Sequence, residues 1–376
     1  MIKMLLFLFC LVSLNFSYSQ SSPAYKWFDA VQSVFPVIEG RGWQADLKDT
    51  YDRFPAKAEQ TVRKEVWKLS KNSAGEYIRF TTNASEIIVR YAVSGGKNFD
   101  HMPSTGVSGV DLYVQDNADN WHWIRGAYKF GDTIEYKYSG FASPAPVKEF
   151  RLYLPLYNTP VWLNIGVPET NIFSALPVNK EKHLVLYGTS ILQGGCASRP
   201  GLAWTNILGR KLNMPIINLG FSGNGRLEQP VIDLMNEIDA KLFVLDCQPN
   251  LVDKKQYPQP ELENRIRNSV KSLQSKHPAT PILLAEHCCG FPAVNLDSAS
   301  ANRYIWTSEV MANTFLKMEK EGIKNIYLLT AKDIDFDMES TVDGTHPNDI
   351  GMMKYAEAYE KAIKKIFYNR HEKKQK

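Results

Sequence analysis

The chain has 376 residues, of which 44% are hydrophobic and 22% charged, with a formal net charge of +4. This length is sufficient for two domains, and the composition is ordinary for a globular protein. The small net charge gives no reason to expect a nucleic-acid partner, and the basic end at 373–376 is typical of a solvated terminus.

Residues 1–19 have the pattern of a secretory signal peptide. Lys3 provides a positive start, and residues 4–14 form an apolar run that is too short to span a membrane. Small residues stand at the two positions that determine cleavage, so we expect the mature chain to begin near Gln20. We therefore expect an exported protein, periplasmic or secreted, without a membrane span.

Residues 20–175 are predicted to form an antiparallel β-sandwich with a jelly-roll-like arrangement. Short apolar or alternating runs, separated by turn-forming residues, predict these strands: 65–69, 77–81, 87–93, 110–114, 121–124, 133–138, 149–154 and 162–167. Tryptophans are dense in this half: Trp43, Trp67, Trp121, Trp123 and Trp162. They are suited to stack on sugars, although packing in a core or between domains is the commoner role of such residues.

Residues 180–370 change to alternating strands and helices, which predicts a doubly wound parallel sheet in an α/β fold. The predicted strands are 183–187, 216–219, 242–246, 282–286 and 326–329. The predicted helices are 204–211, 230–236, 261–275, 302–321 and 349–368. In such a sheet, ligands bind outside the carboxyl ends of the strands.

Ser190 and a glycine-rich loop follow the first two of these strands. Gly188 permits the bend before Ser190, and helical N–H groups begin just after it. On its own, this serine is more simply explained as a helix cap. In the loop 218–225, the backbone N–H of Gly223 can face an oxyanion, although an ordinary turn has the same pattern.

Asn250 follows the third strand, where its amide can donate to the same oxyanion; a simple turn explains it equally well. Asp343 and His346 stand just before the last helix. His346 is suited to act as general base toward Ser190, while Asp343 holds its ring. An Asx turn would explain this pair alone. Four such groups at successive loops, in the order that an esterase needs, favour a catalytic site.

With these groups, residues 180–368 resemble the SGNH (GDSL-like) hydrolases. The motif residues of that family match these positions: Ser190, Gly223, Asn250, Asp343 and His346. The resemblance implies a five-stranded flavodoxin-like fold and a catalytic triad formed by the serine, the aspartate and the histidine. It also implies an oxyanion hole made by the N–H groups of the serine and the glycine and by the asparagine amide. We expect neither a cofactor nor a metal.

Two positions depart from the family pattern. Thr189 stands where the family often has aspartate, and Asn250 lies in Gln-Pro-Asn-Leu where Gly-x-Asn-Asp is usual. The competing serine-hydrolase fold, the α/β-hydrolase, fits less well. Its G-x-S-x-G turn needs a second glycine where this chain has Leu192.

The N-terminal half resembles the β-domain that precedes some of these hydrolases and carries a Gly-x-Asp-Leu-Tyr motif, here residues 109–113. The segment 101–106 fits the same subgroup. This pairing resembles exported bacterial esterases of acylated polysaccharides. We therefore expect an esterase that removes acetyl or other short acyl groups from a polysaccharide or oligosaccharide through an acyl-enzyme on Ser190. The alternatives are a lysophospholipase-like hydrolase of lipid esters or thioesters, and a glycan-binding protein without activity.

Arg226, Glu228 and His287 are candidates for binding the substrate, although the first two are equally suited to begin a helix. Four cysteines remain in the expected mature chain: Cys196, Cys247, Cys288 and Cys289. Their spacing does not match a zinc site, and His287 beside the last two is only a weak indication of a metal. All four follow strands at the same edge, so a disulfide that braces the cleft is one hypothesis.

Overall fold

The structure is a computed structural model that describes residues 24–141, 148–287 and 298–375. The predicted signal peptide and the cysteines at positions 288 and 289 lie outside these residues. Within the described part of the chain, no helix is both long and apolar enough to cross a membrane.

The N-terminal half contains two antiparallel sheets. Its strands are β1 (Tyr25–Asp29), β2 (Ile38–Glu39), β3 (Tyr77–Thr82), β4 (Glu86–Val93), β5 (Asp111–Gln115), β6 (Trp121–Ile124), β7 (Gly126–Lys129), β8 (Ile134–Ser139), β9 (Lys148–Tyr153), β10 (Pro160–Pro168) and β11 (Phe173–Ala175). One sheet has the order β1-β10-β4-β8-β7, and the other has the order β11-β3-β9-β5-β6 with β2 paired to β3. Inward-facing side chains of both sheets, such as Phe80 and Val89, share one core. The predicted antiparallel sandwich is confirmed.

One predicted strand, 65–69, is wrong, because these residues lie in helix α1 (Lys64–Ser70). Its buried side chains are Val66, Trp67 and Ser70, which have the spacing of one helix face. In a run of only five residues of mixed polarity, this spacing cannot be told apart from the alternating pattern of a strand. A second short helix, α2 (Ser104–Val107), precedes β5. Strands β1, β7 and β11, which the sequence did not predict, lie at sheet edges, where only one neighbouring strand supports them.

The C-terminal half contains a five-stranded parallel sheet. Its strands are β12 (Leu184–Gly188), β13 (Ile216–Gly220), β14 (Leu242–Asp246), β15 (Ile282–Ala285) and β16 (Ile326–Leu329). Its helices are α3 (Ser190–Gln193), α4 (Trp204–Leu212), α5 (Gln229–Met235), α6 (Gln259–Lys276), α7 (Ser298–Lys320), α8 (Ala331–Ile334) and α9 (Asp349–Gln375). The strand order is β13-β12-β14-β15-β16, which is the flavodoxin-like order. The predicted α/β fold is confirmed.

Helices cover both faces of this sheet, so it has a core on each side. Successive residues of β12 face opposite cores: Leu186 packs with α4 and α9, and Tyr187 packs with α5, α6 and α7. Each core also contains side chains from the N-terminal half, Met102 on one side and Phe54 on the other. The N-terminal half therefore adds side chains to both cores of the parallel sheet.

The carboxyl ends of three neighbouring strands are aligned. Gly188 at the end of β12 pairs with Gly220 of β13 and with Asp246 of β14. The loops that carry Ser190, Gly223 and the residues after β14 therefore begin at the same edge of the sheet, as the sequence predicted.

Candidate active site

Ser190, His346 and Asp343 form one chain of hydrogen bonds. The Ser190 Oγ lies 2.7 Å from the His346 Nε2, and the His346 Nδ1 lies 2.7 Å from the Asp343 Oδ2. Because the carboxylate accepts from Nδ1–H, the neutral ring has Nε2 free to accept the serine proton. This is the geometry that a serine nucleophile, a general base and an orienting acid require.

The acid and the base share one tight loop. The Asp343 Oδ1 accepts hydrogen bonds from the backbone N–H groups of Thr345 at 3.0 Å and of His346 at 2.7 Å. Gly344 between them has φ +85°, a conformation that favours glycine. Partial burial raises the pKa of Asp343, but the hydrogen bonds from His346 outweigh it and hold that pKa well below its ordinary value. Asp343 therefore remains ionised next to the ring.

Ser190 is the first residue of α3 and is 7% exposed. Thr189 caps this helix, because its side chain accepts from the N–H of Ile191 at 3.4 Å. The cap of α3 is therefore the hydroxyl of Thr189, at the position where the family often has the carboxylate of an aspartate. From the N-terminal half, the Tyr157 hydroxyl donates to the Ser190 carbonyl at 3.1 Å, which ties the serine to the β-sandwich.

Three donors belong to loops that begin at the same edge of the sheet. Within the described residues, the backbone N–H groups of Ser190 and Gly223 have no acceptor. The Asn250 Oδ1 accepts from the N–H of Gly225 at 3.0 Å, which leaves the Nδ2 group of this amide as the free donor. Gly223 has φ +68°, so a side chain at this position would strain the turn.

Arg53 is a site residue that sequence reasoning missed. It is 1% exposed, and its Nη1 donates to the carbonyls of Asn218 and Gly220, both at 2.9 Å. Its Nε and Nη2 donate to the carbonyls of Asn72 and Leu69. A buried guanidinium from the N-terminal half thus fixes the strand end that begins the Gly223 loop. A single arginine in an irregular segment carries no sequence signal for this contact.

The Gly-x-Asp-Leu-Tyr motif joins the two halves. The Asp111 carboxylate accepts from the Gly201 N–H at 2.9 Å and pairs with the Arg199 guanidinium. The Arg199 Nη1 also donates to the Tyr113 hydroxyl at 2.7 Å, and its guanidinium lies over the Trp123 ring. The motif therefore fastens the segment after α3 to the β-sandwich.

Arg226 and Glu228 bond to the glycine loop and its surroundings. The Arg226 Nε donates to the Gly223 carbonyl at 3.1 Å, and Glu228 pairs with Arg63. Glu228 lines a cavity of about 350 Å³ whose described lining includes neither Ser190 nor the triad histidine. The structure thus gives these two residues roles in holding the loop, and a contact with substrate stays a prediction.

His287 is 2% exposed and lies beside the loop that carries Asp343 and His346. Its ring packs edge-on against Tyr304, with centroids 4.6 Å apart, and the Tyr304 hydroxyl lies 2.9 Å from the Thr345 Oγ1. Burial, with a smaller contribution from the charge of His346, lowers the pKa of His287 to about 3. His287 is therefore neutral at physiological pH.

Cys196 and Cys247 are free, buried thiols in this structure, so a disulfide between them does not brace the cleft. Burial, followed by the nearby charge of Asp343, raises the pKa of Cys196 to about 12. Across the described ranges, no three His, Cys, Asp or Glu side chains are grouped as metal ligands.

Two family models match the chain. The GDSL-like lipase/acylhydrolase family matches residues 181–364, and the N-terminus of the SGNH-hydrolase-type esterases matches residues 25–173. No curated protein matches the sequence significantly.

Solved structures are similar to nearly the whole chain. A protein from Bacteroides ovatus ATCC 8483, described as a GDSL-like lipase, is 31% identical with a TM-score of 0.82, over 92% of this chain and 98% of that chain. The salicylyl-acyltransferase SsfX3 from a tetracycline biosynthetic pathway is 18% identical with a TM-score of 0.72, over 92% of this chain and 98% of that chain. The acetyl xylan esterase Est2A from the rumen bacterium Butyrivibrio proteoclasticus is 12% identical with a TM-score of 0.54, over 93% of this chain and 98% of that chain.

The last two similarities show the fold alone. The first extends over both halves at a higher identity, and it agrees with the two family models. This chain belongs to the SGNH (GDSL-like) lipase/acylhydrolase family.

Proposed function

We propose that this protein is a serine esterase that removes acetyl or other short acyl groups from a carbohydrate. The observation that carries the proposal is the hydrogen-bond chain from the Ser190 Oγ through His346 to Asp343, with both contacts at 2.7 Å. It lies at the carboxyl edge of the parallel sheet, where ligands bind in this fold class.

In the proposed reaction, His346 takes the proton of the Ser190 hydroxyl as the oxygen attacks the ester carbonyl carbon. The Asp343 carboxylate stabilises the imidazolium that forms. The protonated ring then gives its proton to the leaving alcohol, and an acyl-enzyme remains on the serine. His346 next removes a proton from water, which attacks the acyl carbon; the bond to the Ser190 oxygen then breaks, the ring returns the proton to that oxygen, and the acid is released.

The negative charge that develops on the carbonyl oxygen needs fixed donors. We assign the backbone N–H groups of Ser190 and Gly223 and the Nδ2 group of Asn250 to this role. The absence of other acceptors for these donors among the described residues supports the assignment. Each group is held before the substrate binds, so little reorganisation is needed during the reaction.

A carbohydrate ester is the substrate class that we favour. The structurally similar acetyl xylan esterase supports it. The expected signal peptide would direct the enzyme to compartments where acylated polysaccharides occur. We also propose that the mature chain has two domains, a β-sandwich at 20–175 and a hydrolase domain at 180–370.

Release of acetate from a panel of acetylated polysaccharides tests this function directly. The wild-type protein should release acetate, and Ser190→Ala should lower kcat by at least about a thousandfold with an unchanged fold. Ser174→Ala, an exposed serine of β11, is the matched control and should retain full activity. Wild-type turnover by Ser190→Ala would refute the assignment of the nucleophile.

A hydrolase of lipid esters or thioesters is the second candidate. A mostly apolar cavity of about 400 Å³, lined by residues such as Tyr304, Ile305 and Ala312, lies beside His287 and gives this candidate some support. A series of esters with one alcohol and increasing acyl length separates the two functions. A preference for long acyl chains over acetate would favour the lipid substrate, and a preference for acetate would favour the carbohydrate.

A further inference from the structure

A short loop of the β-sandwich half reaches the catalytic histidine. The loop is closed by two backbone hydrogen bonds between Phe99 and Met102, at 3.0 and 3.2 Å. Met102 is 2% exposed and lies in a core of the C-terminal half, and the Thr105 Oγ1 donates to the Ser198 carbonyl at 2.7 Å. The segment that follows the tip of the loop is therefore fixed to the hydrolase half.

The side chains at this tip form a continuous series of rings next to the site. The His101 ring lies 6.2 Å from the His346 ring, and the Phe99 ring stacks on His101 with centroids 5.8 Å apart and an interplanar angle of 17°. Phe99 also meets the Tyr157 ring edge-on at 5.5 Å. Tyr157 in turn bonds to the Ser190 carbonyl. The series thus begins at the base and returns to the nucleophile.

The chemistry of ester cleavage determines which part of a substrate meets these rings. In the tetrahedral intermediate, the oxyanion faces the fixed donors, and the leaving oxygen faces the His346 Nε2, because that atom must protonate it. Exposed groups next to His346 are therefore candidates to meet the alcohol part of the ester. The exposed His101 ring is such a group, with its centroid 6.2 Å from that of the His346 ring.

We propose that Phe99 and His101 are the binding surface for the alcohol part of the substrate, a sugar ring that carries the ester. This proposal rests on the proposed function. Phe99 remains 39% exposed although it stacks on His101, so ring surface is accessible one ring away from His346. A pyranose presents C–H groups on one face, and aromatic rings are suited to pack against such a face. Phe99 and His101 would then determine which alcohol is accepted.

The test compares esters that share an acyl group and differ in the alcohol. For Phe99→Ala, we expect kcat/KM to fall about tenfold on the best acetylated oligosaccharide and to stay nearly unchanged on ethyl acetate. The preference among acetate, propionate and butyrate of one small alcohol should not change. His101→Ala should also lower kcat/KM on the oligosaccharide. His101→Phe should lower it less than His101→Ala does, because phenylalanine keeps a flat ring at this position.

Phe35→Ala is the matched control, because Phe35 is also 39% exposed and makes no contact with the site among the described residues. Phe99→Leu keeps apolar volume and gives a second variant if the alanine variant folds poorly. Equal losses on the oligosaccharide and on ethyl acetate would overturn the proposal, since the loop would then only position His346. A changed acyl preference would overturn it as well.

The proposed function can fail separately. If the wild-type protein cleaves simple esters but releases nothing from any glycan, the carbohydrate assignment fails. Cyclohexyl acetate and ethyl acetate then still test whether the two rings bind the alcohol. If the variants lose kcat/KM on cyclohexyl acetate but not on ethyl acetate, this role is supported. Equal losses on the two esters overturn it.

Discussion

The two halves of the molecule contribute different kinds of groups to one site. The C-terminal half contributes the side chains that we propose to be reactive, which form the hydrogen-bond chain from Ser190 to Asp343. The N-terminal half contributes Arg53 and Tyr157, whose side chains donate to backbone carbonyls of Ser190 and of the strand end before the Gly223 loop. In the proposed function, one half therefore carries the chemistry, and the other holds part of the backbone that positions it.

This difference implies that rate and stability respond to different substitutions. A donor lost from the C-terminal half should lower the rate while the fold persists. A donor lost from the N-terminal half should destabilise the protein, because it leaves buried carbonyls without partners. The following substitutions test this division.

Arg53→Met should have the largest effect. It leaves the carbonyls of Asn72, Asn218 and Gly220 without their donor in a buried place, so we expect the free energy of unfolding to fall by about 3–5 kcal/mol. Chemical denaturation measures this loss. Arg90→Met, at a guanidinium that is 46% exposed, should change the free energy of unfolding little. A rate loss without a loss of stability in Arg53→Met would break the proposed division between the halves.

Asn250→Ala should lower kcat by about a hundredfold to a thousandfold, because one donor to the developing oxyanion is lost. The melting temperature should change only slightly, since the residue is partly exposed and its remaining bond is to Gly225. Steady-state kinetics on a simple acetate ester measures the effect, with Asn117→Ala in an exposed turn as control. An unchanged kcat would remove Asn250 from the oxyanion hole.

Asp246→Asn should sharpen the comparison, because Asp246 lies at the active edge without belonging to the triad. Burial, opposed by a hydrogen bond from the Tyr359 hydroxyl, raises the pKa of Asp246 from 3.8 to about 7. The folded state therefore holds the proton more tightly than the unfolded state, and the wild type loses stability as the pH rises from about 4 to about 7. The asparagine variant lacks this loss.

The variant and the wild type should thus have similar stability near pH 4, and the variant should be more stable above pH 7 by on the order of 4 kcal/mol. Thermal unfolding across this pH range gives the difference. Asp239→Asn, at a carboxylate that is 70% exposed, should follow the wild-type curve. Parallel curves for wild type and Asp246→Asn would indicate that the carboxyl is not protonated in the folded state.

The sequence was most informative about the parallel sheet. Its buried strands are short apolar runs, each followed by a helix, so strand and helix patterns alternate clearly along the chain. The predicted strands 242–246 and 326–329 coincide with β14 and β16. The pairing of Asp343 with His346 could be predicted because the two residues are close together in the sequence. The match of four motifs to one family then predicted which strand ends form one site.

The sequence was least informative where contacts join distant segments. Arg53, Tyr157 and His101 act through contacts with residues more than 30 positions away, and no periodic pattern marks such contacts. Helix α1 was misassigned because its apolar face packs on the other half, which a local pattern does not reveal. The role of Asp111 and Tyr113 as a fastener between the halves was equally invisible.

The short distance between the acid and the base along the chain has a consequence for how this site tolerates change. Asp343 and His346 are three positions apart, whereas Ser190 lies 156 positions before His346. Closing the small loop takes little conformational entropy, so the acid–base pair can form as a local unit. Insertions elsewhere in the C-terminal half leave that unit intact. Natural variation and protein engineering can therefore reshape the surrounding loops, provided that the serine and the proposed oxyanion donors keep their long-range positions relative to the histidine.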